Sequence, residues 1–212
     1  MDDKEIIFVG DPMCSWCWGF SPALEGMAEM ARGRARLTVV TGGLRAGETR
    51  AMDDRSKEYV RHHWEEVHKA SGQPFDFTFF ERDGFVYDTE PACRAVVILR
   101  TASPEAAVPY FVALHRAFYA EGRDVTDGGV LADLAAPFGL PRDTFLDAFN
   151  DPNIRAATMA DFTYARSLGV TGFPTVVCRQ GTPEGDQWGY LTVGYRPLGA
   201  LAPLLEQWLA AD

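Results

Sequence analysis

The sequence predicts an α/β protein in which a strand–helix–strand unit and a strand–strand–helix unit frame an inserted all-helical block. Three observations predict it. Strand and helix patterns alternate from residue 5 to residue 40. Helical periodicity dominates the middle of the chain, and strand signals return after residue 173, ahead of a last amphipathic helix.

Each element has its own signal. Residues 5–9 are a short apolar run that stops at Gly10-Asp11-Pro12, as a buried strand does. Leu24, Met27, Ala28 and Ala31 recur at helical spacing and place a helix over Ser15–Ala31. Arg36-Leu-Thr-Val-Val40 reads as a second strand, broken by Gly42-Gly43. Strand, helix and strand in so short a span favour a parallel pair. Helical patterns follow at 53–70, 90–101, 104–121, 127–137, 141–149 and 151–168. Ser103 before Pro104, with Glu105 and Ala106 next, is a helix-start signal. Phe77-Thr78-Phe79-Phe80 and Phe85-Val86-Tyr87 read as extended pieces. Strands return at 174–178 and 190–193, joined through the turn cluster of 180–187 as a hairpin. Pro197 then opens a helix carrying Leu201, Leu204, Leu205 and Trp208.

Composition narrows the function classes. The chain has 212 residues, of which 47% are hydrophobic and 24% charged, so it is neither disordered nor fibrous. At roughly 150 residues per domain, that length is one domain with something added, or two small ones. The net charge of −10 is spread along the chain, which argues against nucleic-acid binding and gives an anionic membrane no handle. The acidic start and a four-residue apolar run do not resemble a secretory signal, and no run is long enough for a membrane span. The expected location is therefore the cytoplasm. Four cysteines are too few for a disulfide scaffold.

Two of those cysteines carry the chemistry. Cys14-Ser15-Trp16-Cys17 follows a strand and opens a helix. A helix N-terminus offers unpaired N–H groups and the positive end of the macrodipole, both of which favour a thiolate. A spacing of three puts the second sulfur one turn in on the same face, where it can attack a mixed disulfide on the first. Cys14 is thus expected as the exposed nucleophile and Cys17 as the more buried resolving thiol. Ser15 and Trp16 add no charge and are read as substrate-facing residues that tune the site through N–H donors and shape. Zinc would need two further ligands. Cys93 and Cys178 stand alone, and His62, His63 and His68 lack ligand spacing, so no metal is expected. The three histidines read as a solvated helix face, and Asp11 as a turn cap. Met13, Trp18 and Phe20 read mainly as core.

Far downstream lies Val170-Thr171-Gly172-Phe173-Pro174-Thr175. A cis bond at Phe173-Pro174 would leave the Phe173 backbone free to pair with an extended substrate segment.

Together these motifs resemble the DsbA-like branch of the thioredoxin superfamily, over essentially the whole chain. Asp-Pro-Met-Cys-Ser-Trp-Cys-Trp-Gly-Phe resembles more closely the FrnE-like cytosolic proteins often described as predicted protein-disulfide isomerases. The resemblance implies a thioredoxin-like fold with residues 1–44 and 169–212 as a discontinuous domain and 45–168 as a helical insert. It implies that Cys14 and Cys17 are the redox pair and Pro174 the cis-proline. The activity implied is thiol–disulfide exchange on protein or small-molecule thiols, without a cofactor beyond the Cys14–Cys17 disulfide and with glutathione as a candidate co-substrate. Glutathione transferase kappa and 2-hydroxychromene-2-carboxylate isomerase share the architecture and supply the alternative function, though they usually carry Ser where this chain has Cys14. Many relatives also carry Asn-Thr-x-x-Ala-His-Arg. Here the segment is Asp88-Thr89-Glu90-Pro91-Ala92-Cys93-Arg94, so Cys93 replaces the histidine. In the first turn of a helix its thiol pKa would be lowered. Cys93 reads first as a buried core cysteine and second as an accessory thiol near Cys14; Cys178 reads as core.

Overall fold

A computed structural model describes residues 4–211; the acidic start read at residues 1–3 lies outside them. Ile6-Ile7-Phe8-Val9 lie in β1 (Lys4–Gly10), the inner strand that pairs parallel with β2 (Arg36–Thr41) and antiparallel with β3 (Thr175–Gln180). A parallel pair needs a crossover, and α1 (Ser15–Ala31) supplies it. The outer strand β4 (Gln187–Val193) closes the order β2-β1-β3-β4 through an antiparallel hairpin with β3.

An inner strand covered on both faces has no need to alternate polar and apolar residues, which explains the unbroken apolar run. Ile6 and Phe8 face the larger core with α1, whereas Ile7 and Val9 join Val40, Val177 and Ala165 on the other face. Burying side chains such as Phe8 and Phe20 stabilises the fold by about 2 kcal/mol each.

Between the two halves run α2 (Asp54–Ser71), α3 (Glu90–Ala102), α4 (Ala107–Tyr119), α5 (Gly128–Ala135), α6 (Arg142–Asn150) and α7 (Pro152–Ser167). The chain then passes through the hairpin to α8 (Leu198–Ala210), which packs on α1. Caps set the ends of α2. The Asp53 carboxylate accepts from the Ser56 N–H at 2.8 Å, and Gly72 takes a left-handed conformation at φ 74°. Pro22 sits inside α1 and cannot supply an N–H to the Trp18 carbonyl; the Gln73 amide donates to that carbonyl instead, at 3.3 Å.

Two sequence expectations change. Phe77–Phe80 is not extended but lies in a 3₁₀ turn, Phe77–Glu81, capped by Asp76, whose carboxylate accepts from the Thr78 N–H. An alternating strand would send neighbouring phenylalanines to opposite faces. The turn instead gathers Phe77, Phe79 and Phe80 around Trp64, with ring centroids 6.1, 5.0 and 4.7 Å away. Leu204, placed by spacing on the apolar face of the last helix, is exposed. Val86 does make the extended contact expected of it, a single bridge to Ala51.

Candidate active site

β1 ends at Gly10, and the chain turns through Asp11-Pro12-Met13 into α1. Two Asp11 groups shape that turn. Its carbonyl accepts the Cys14 N–H at 3.0 Å, and its carboxylate accepts the Met13 N–H at 2.8 Å. Cys14 is the N-cap of α1, in extended conformation, so its side chain stands at the helix N-terminus. Cys17 lies one turn in. Gly10 is required beside it, because a Cβ there would strike the Phe8 ring and crowd the Cys17 sulfur.

The Cys14 side chain faces a cavity of about 250 Å³. One wall is Met13, Ser15 and Trp16; the loop after β2 adds Leu44 and Arg45; α2 adds Tyr59, Val60, His63 and Trp64; Tyr87 and Phe173 complete it. Cys14 Sγ lies 3.9 Å from the Phe173 carbonyl oxygen. The Phe173–Pro174 peptide bond is cis, and Pro174 itself is buried. The structure therefore brings Cys14, Cys17, Ser15, Trp16, Phe173 and Pro174 to one place, although the two motifs are far apart in the chain.

Exposure differs from expectation. Cys14 is 6% exposed and Cys17 1%, so Cys14 is a buried thiol at the wall of a cavity rather than an exposed one. Trp16, Tyr87 and Phe173 are among the side chains that line the cavity in front of it. Burial pushes the Cys17 thiol well above its ordinary pKa, and the neighbouring Cys14 and the Asp11 charge add to that.

The residues that hold this arrangement were largely silent in the sequence. Asp11 does cap its turn, but it is also fully buried, and its Oδ2 accepts the Leu44 N–H at 2.6 Å and the Cys93 S–H at 3.4 Å. Burial raises its pKa, against the pull of those donors. Cys93 is close to the pair through Asp11, yet its thiol is pushed well up, by burial first and then by the Asp11 charge. The lowering expected from a first helical turn is outweighed. Cys178 is buried in β3 with its thiol raised to about 12. The Tyr87 hydroxyl donates to the Met13 carbonyl at 2.7 Å, and Arg45 lies 5.0 Å over its ring.

His115 is buried in α4. Its Nε2 lies 3.2 Å from the Asp11 carbonyl, which can only accept, so Nε2 carries the proton; Nδ1 then accepts from the Ser21 hydroxyl at 3.2 Å. Burial lowers its pKa to about 3. Of the histidines read as a solvated face, His63 is instead part of the cavity wall, edge-on to Tyr59 at 4.5 Å. Met13, Trp18 and Phe20 are buried as expected, Met13 also touching the cavity. Among the described residues, no three His, Cys, Asp or Glu side chains are grouped to hold a metal ion, and no helix is long and apolar enough to cross a membrane.

Comparison with known proteins agrees with this picture. A protein from Nitrosomonas europaea, described as a "putative protein disulfide isomerase", superposes with a TM-score of 0.89 at 36% identity, covering 98% of each chain. The cytosolic disulfide reductase DsbM from Pseudomonas aeruginosa, solved with GSH, superposes at 0.75 with 24% identity, over 98% of this chain and 100% of that one. The ClpXP adapter protein SpxH of Halalkalibacterium halodurans is 23% identical over 97% of this chain and 67% of its own. The family profile matches residues 5–202: the chain belongs to the DSBA-like thioredoxin domain family and has the fold of its thiol–disulfide oxidoreductases.

Proposed function

We propose that this enzyme exchanges disulfides through Cys14 and Cys17. The Cys14 thiolate attacks one sulfur of a substrate disulfide, forming a mixed disulfide and releasing one substrate thiolate, which takes up a proton. Cys17 loses its proton and attacks Cys14 Sγ, releasing the second substrate thiol and leaving Cys14 and Cys17 joined. Two reduced thiols return the pair to its starting state, and glutathione is the co-substrate this reading favours, in line with the GSH-bound disulfide reductase of the same fold. In a reducing cytoplasm the cycle runs as reductase or isomerase.

The observation that carries this reading is the placement of Cys14 at the start of α1, facing a cavity, with Phe173 O at 3.9 Å and Cys17 behind it. The Phe173 carbonyl is placed to accept an N–H from an extended substrate backbone running past the sulfur. Ser15 and Trp16 border the same opening.

Replacing Cys17 with Ser removes the resolving thiol. The variant should accumulate mixed disulfides on Cys14, visible on non-reducing gels and by mass spectrometry, while the wild type reduces insulin. No trapped species together with no insulin reduction would overturn the reading. Saturable glutathione binding with turnover that survives the loss of Cys17 would move the chain to the kappa-type transferases and isomerases.

A further inference from the structure

Asp11 is a fully buried carboxylate without an ion-pair partner among the described residues. Three donors converge on it instead: the N–H groups of Met13 and Leu44 and the Cys93 thiol. An ionised carboxylate oxygen has about two acceptor positions, so Oδ2, which takes both the Leu44 N–H and the Cys93 S–H, is filled. The groups facing it from the packed elements are Cys14 and Cys17 of α1, Cys93 of α3, His115 and Tyr119 of α4, and Tyr87 from the loop before α3. None of these is a cation at neutral pH, since His115 is held neutral. The Arg45 guanidinium, beside Leu44, lies over the Tyr87 ring and makes no ion pair with Asp11 among the described residues, so hydrogen bonds are the direct partners of that carboxylate.

The two backbone donors are what matter to the redox pair. Met13 immediately precedes Cys14, and Leu44 lies in the wall of the Cys14 cavity. A proton on Oδ2 would have to displace the Leu44 or the Cys93 donor, which share that oxygen. Cys93 is tied into the same junction. Its S–H donates to Asp11 Oδ2 at 3.4 Å, the oxygen that also takes the Leu44 N–H.

We propose that Cys93 is a positioning residue that acts through Asp11: its S–H keeps the buried carboxylate ionised, and the carboxylate holds Met13 and Leu44 in place around the Cys14–Cys17 pair. The proposal rests on reading that pair as the redox centre. It gives Cys93 a role distinct from that of a third attacking thiol, which its burial and the adjacent negative charge oppose.

Serine keeps a donor at this position and alanine does not. The test is a ¹³C NMR titration of the Asp11 carboxyl in the reduced wild type, Cys93→Ser and Cys93→Ala, with Asp11→Asn assigning the signal and amide shifts of Met13 and Leu44 followed alongside. In Cys93→Ala the Asp11 midpoint should rise by about one pH unit, the scale of a lost hydrogen bond to a charge. The two amides should follow the same midpoint, and Cys93→Ser should restore it. If Cys93→Ala does not fold, Cys93→Val fills the space without a donor and carries the same expectation. Coincident midpoints in the wild type and the donor-less variant would overturn the proposal, as would a serine variant that moves with alanine. No substrate is present in the titration, so its outcome is separate from that of Cys17→Ser trapping.

Discussion

Gly42 has no side chain because the ring of Phe173 occupies the place where one would stand. The contact links the end of β2 to the residue whose carbonyl lies beside Cys14, and a Cβ at position 42 must push that ring away. Gly42→Ala should therefore cost about 1–3 kcal/mol, the usual range for overpacking, and should slow alkylation of Cys14 by shifting Phe173. Thermal unfolding and the alkylation rate check the two halves of that statement; a stable variant with an unchanged rate would show that Phe173 can move freely. At this scale the sequence was legible where a residue's placement follows from its own motif. Cys14 and Cys17 stand at the start of a helix, as spacing and context predict, and Phe173-Pro174 stands just before a strand. Asp11 before Pro12 reads as a turn cap, which is true but incomplete, because its Leu44 and Cys93 partners come from distant parts of the chain. His115 has no neighbour in sequence that hints at the Asp11 carbonyl.

β2 is an edge strand, and one ion pair, Asp161 with Arg100, covers backbone groups on its outer side. Asp161 of α7 accepts the Thr41 N–H at 2.9 Å and two Arg100 N–H groups at 2.8 and 2.9 Å, so it joins β2, α7 and α3. Removing the charge from this partly buried pair leaves Arg100 without its counter-ion. Asp161→Asn should lower stability by about 2 kcal/mol, read as a fall in the urea midpoint with an unchanged slope. An unmoved midpoint would mean that Arg100 is adequately served by the Val39 carbonyl and water. Element positions were the most readable part of the chain: the helix at Ser15–Ala31 and the hairpin follow directly from periodicity and turn residues. Phe77–Phe80 was not readable, because its conformation is chosen by Trp64, a residue on another element. Element ends give way in the same manner. Residues 104–106 form a 3₁₀ turn before α4 starts, as Pro104 and the Ser103–Glu105 contact tighten that corner.

Over the whole molecule, one apolar core runs from the sheet into the helices, including Phe8, Phe20, Phe111 and Phe118. The proposed insert at 45–168 therefore shares its interior with the frame that carries the cysteines, and stability at the site is stability of the chain. His115 stands where these parts meet, bonded to Ser21 of α1 and to the Asp11 carbonyl. Its pKa is about 3 when folded against an ordinary 6.5, so between those values the unfolded chain binds a proton that the folded chain refuses. Stability from this group is complete above about 6.5 and is lost as the pH falls toward 3, by an amount on the order of a few kcal/mol. Asp11 works in the opposite sense: a raised carboxylate gives stability at low pH that is lost as the pH rises through its folded value. Comparison of the wild type with His115→Gln separates them, because Asp11 is common to both. The variant should be less stable at neutral pH through its imperfect hydrogen bonds. The stability difference, measured by urea unfolding at a series of pH values, should shrink as the pH falls from 6.5 toward 3 and stay flat above that window. A difference that does not change with pH would mean that His115 takes up its proton inside the fold, and that the Asp11 carbonyl is held by something other than a neutral imidazole.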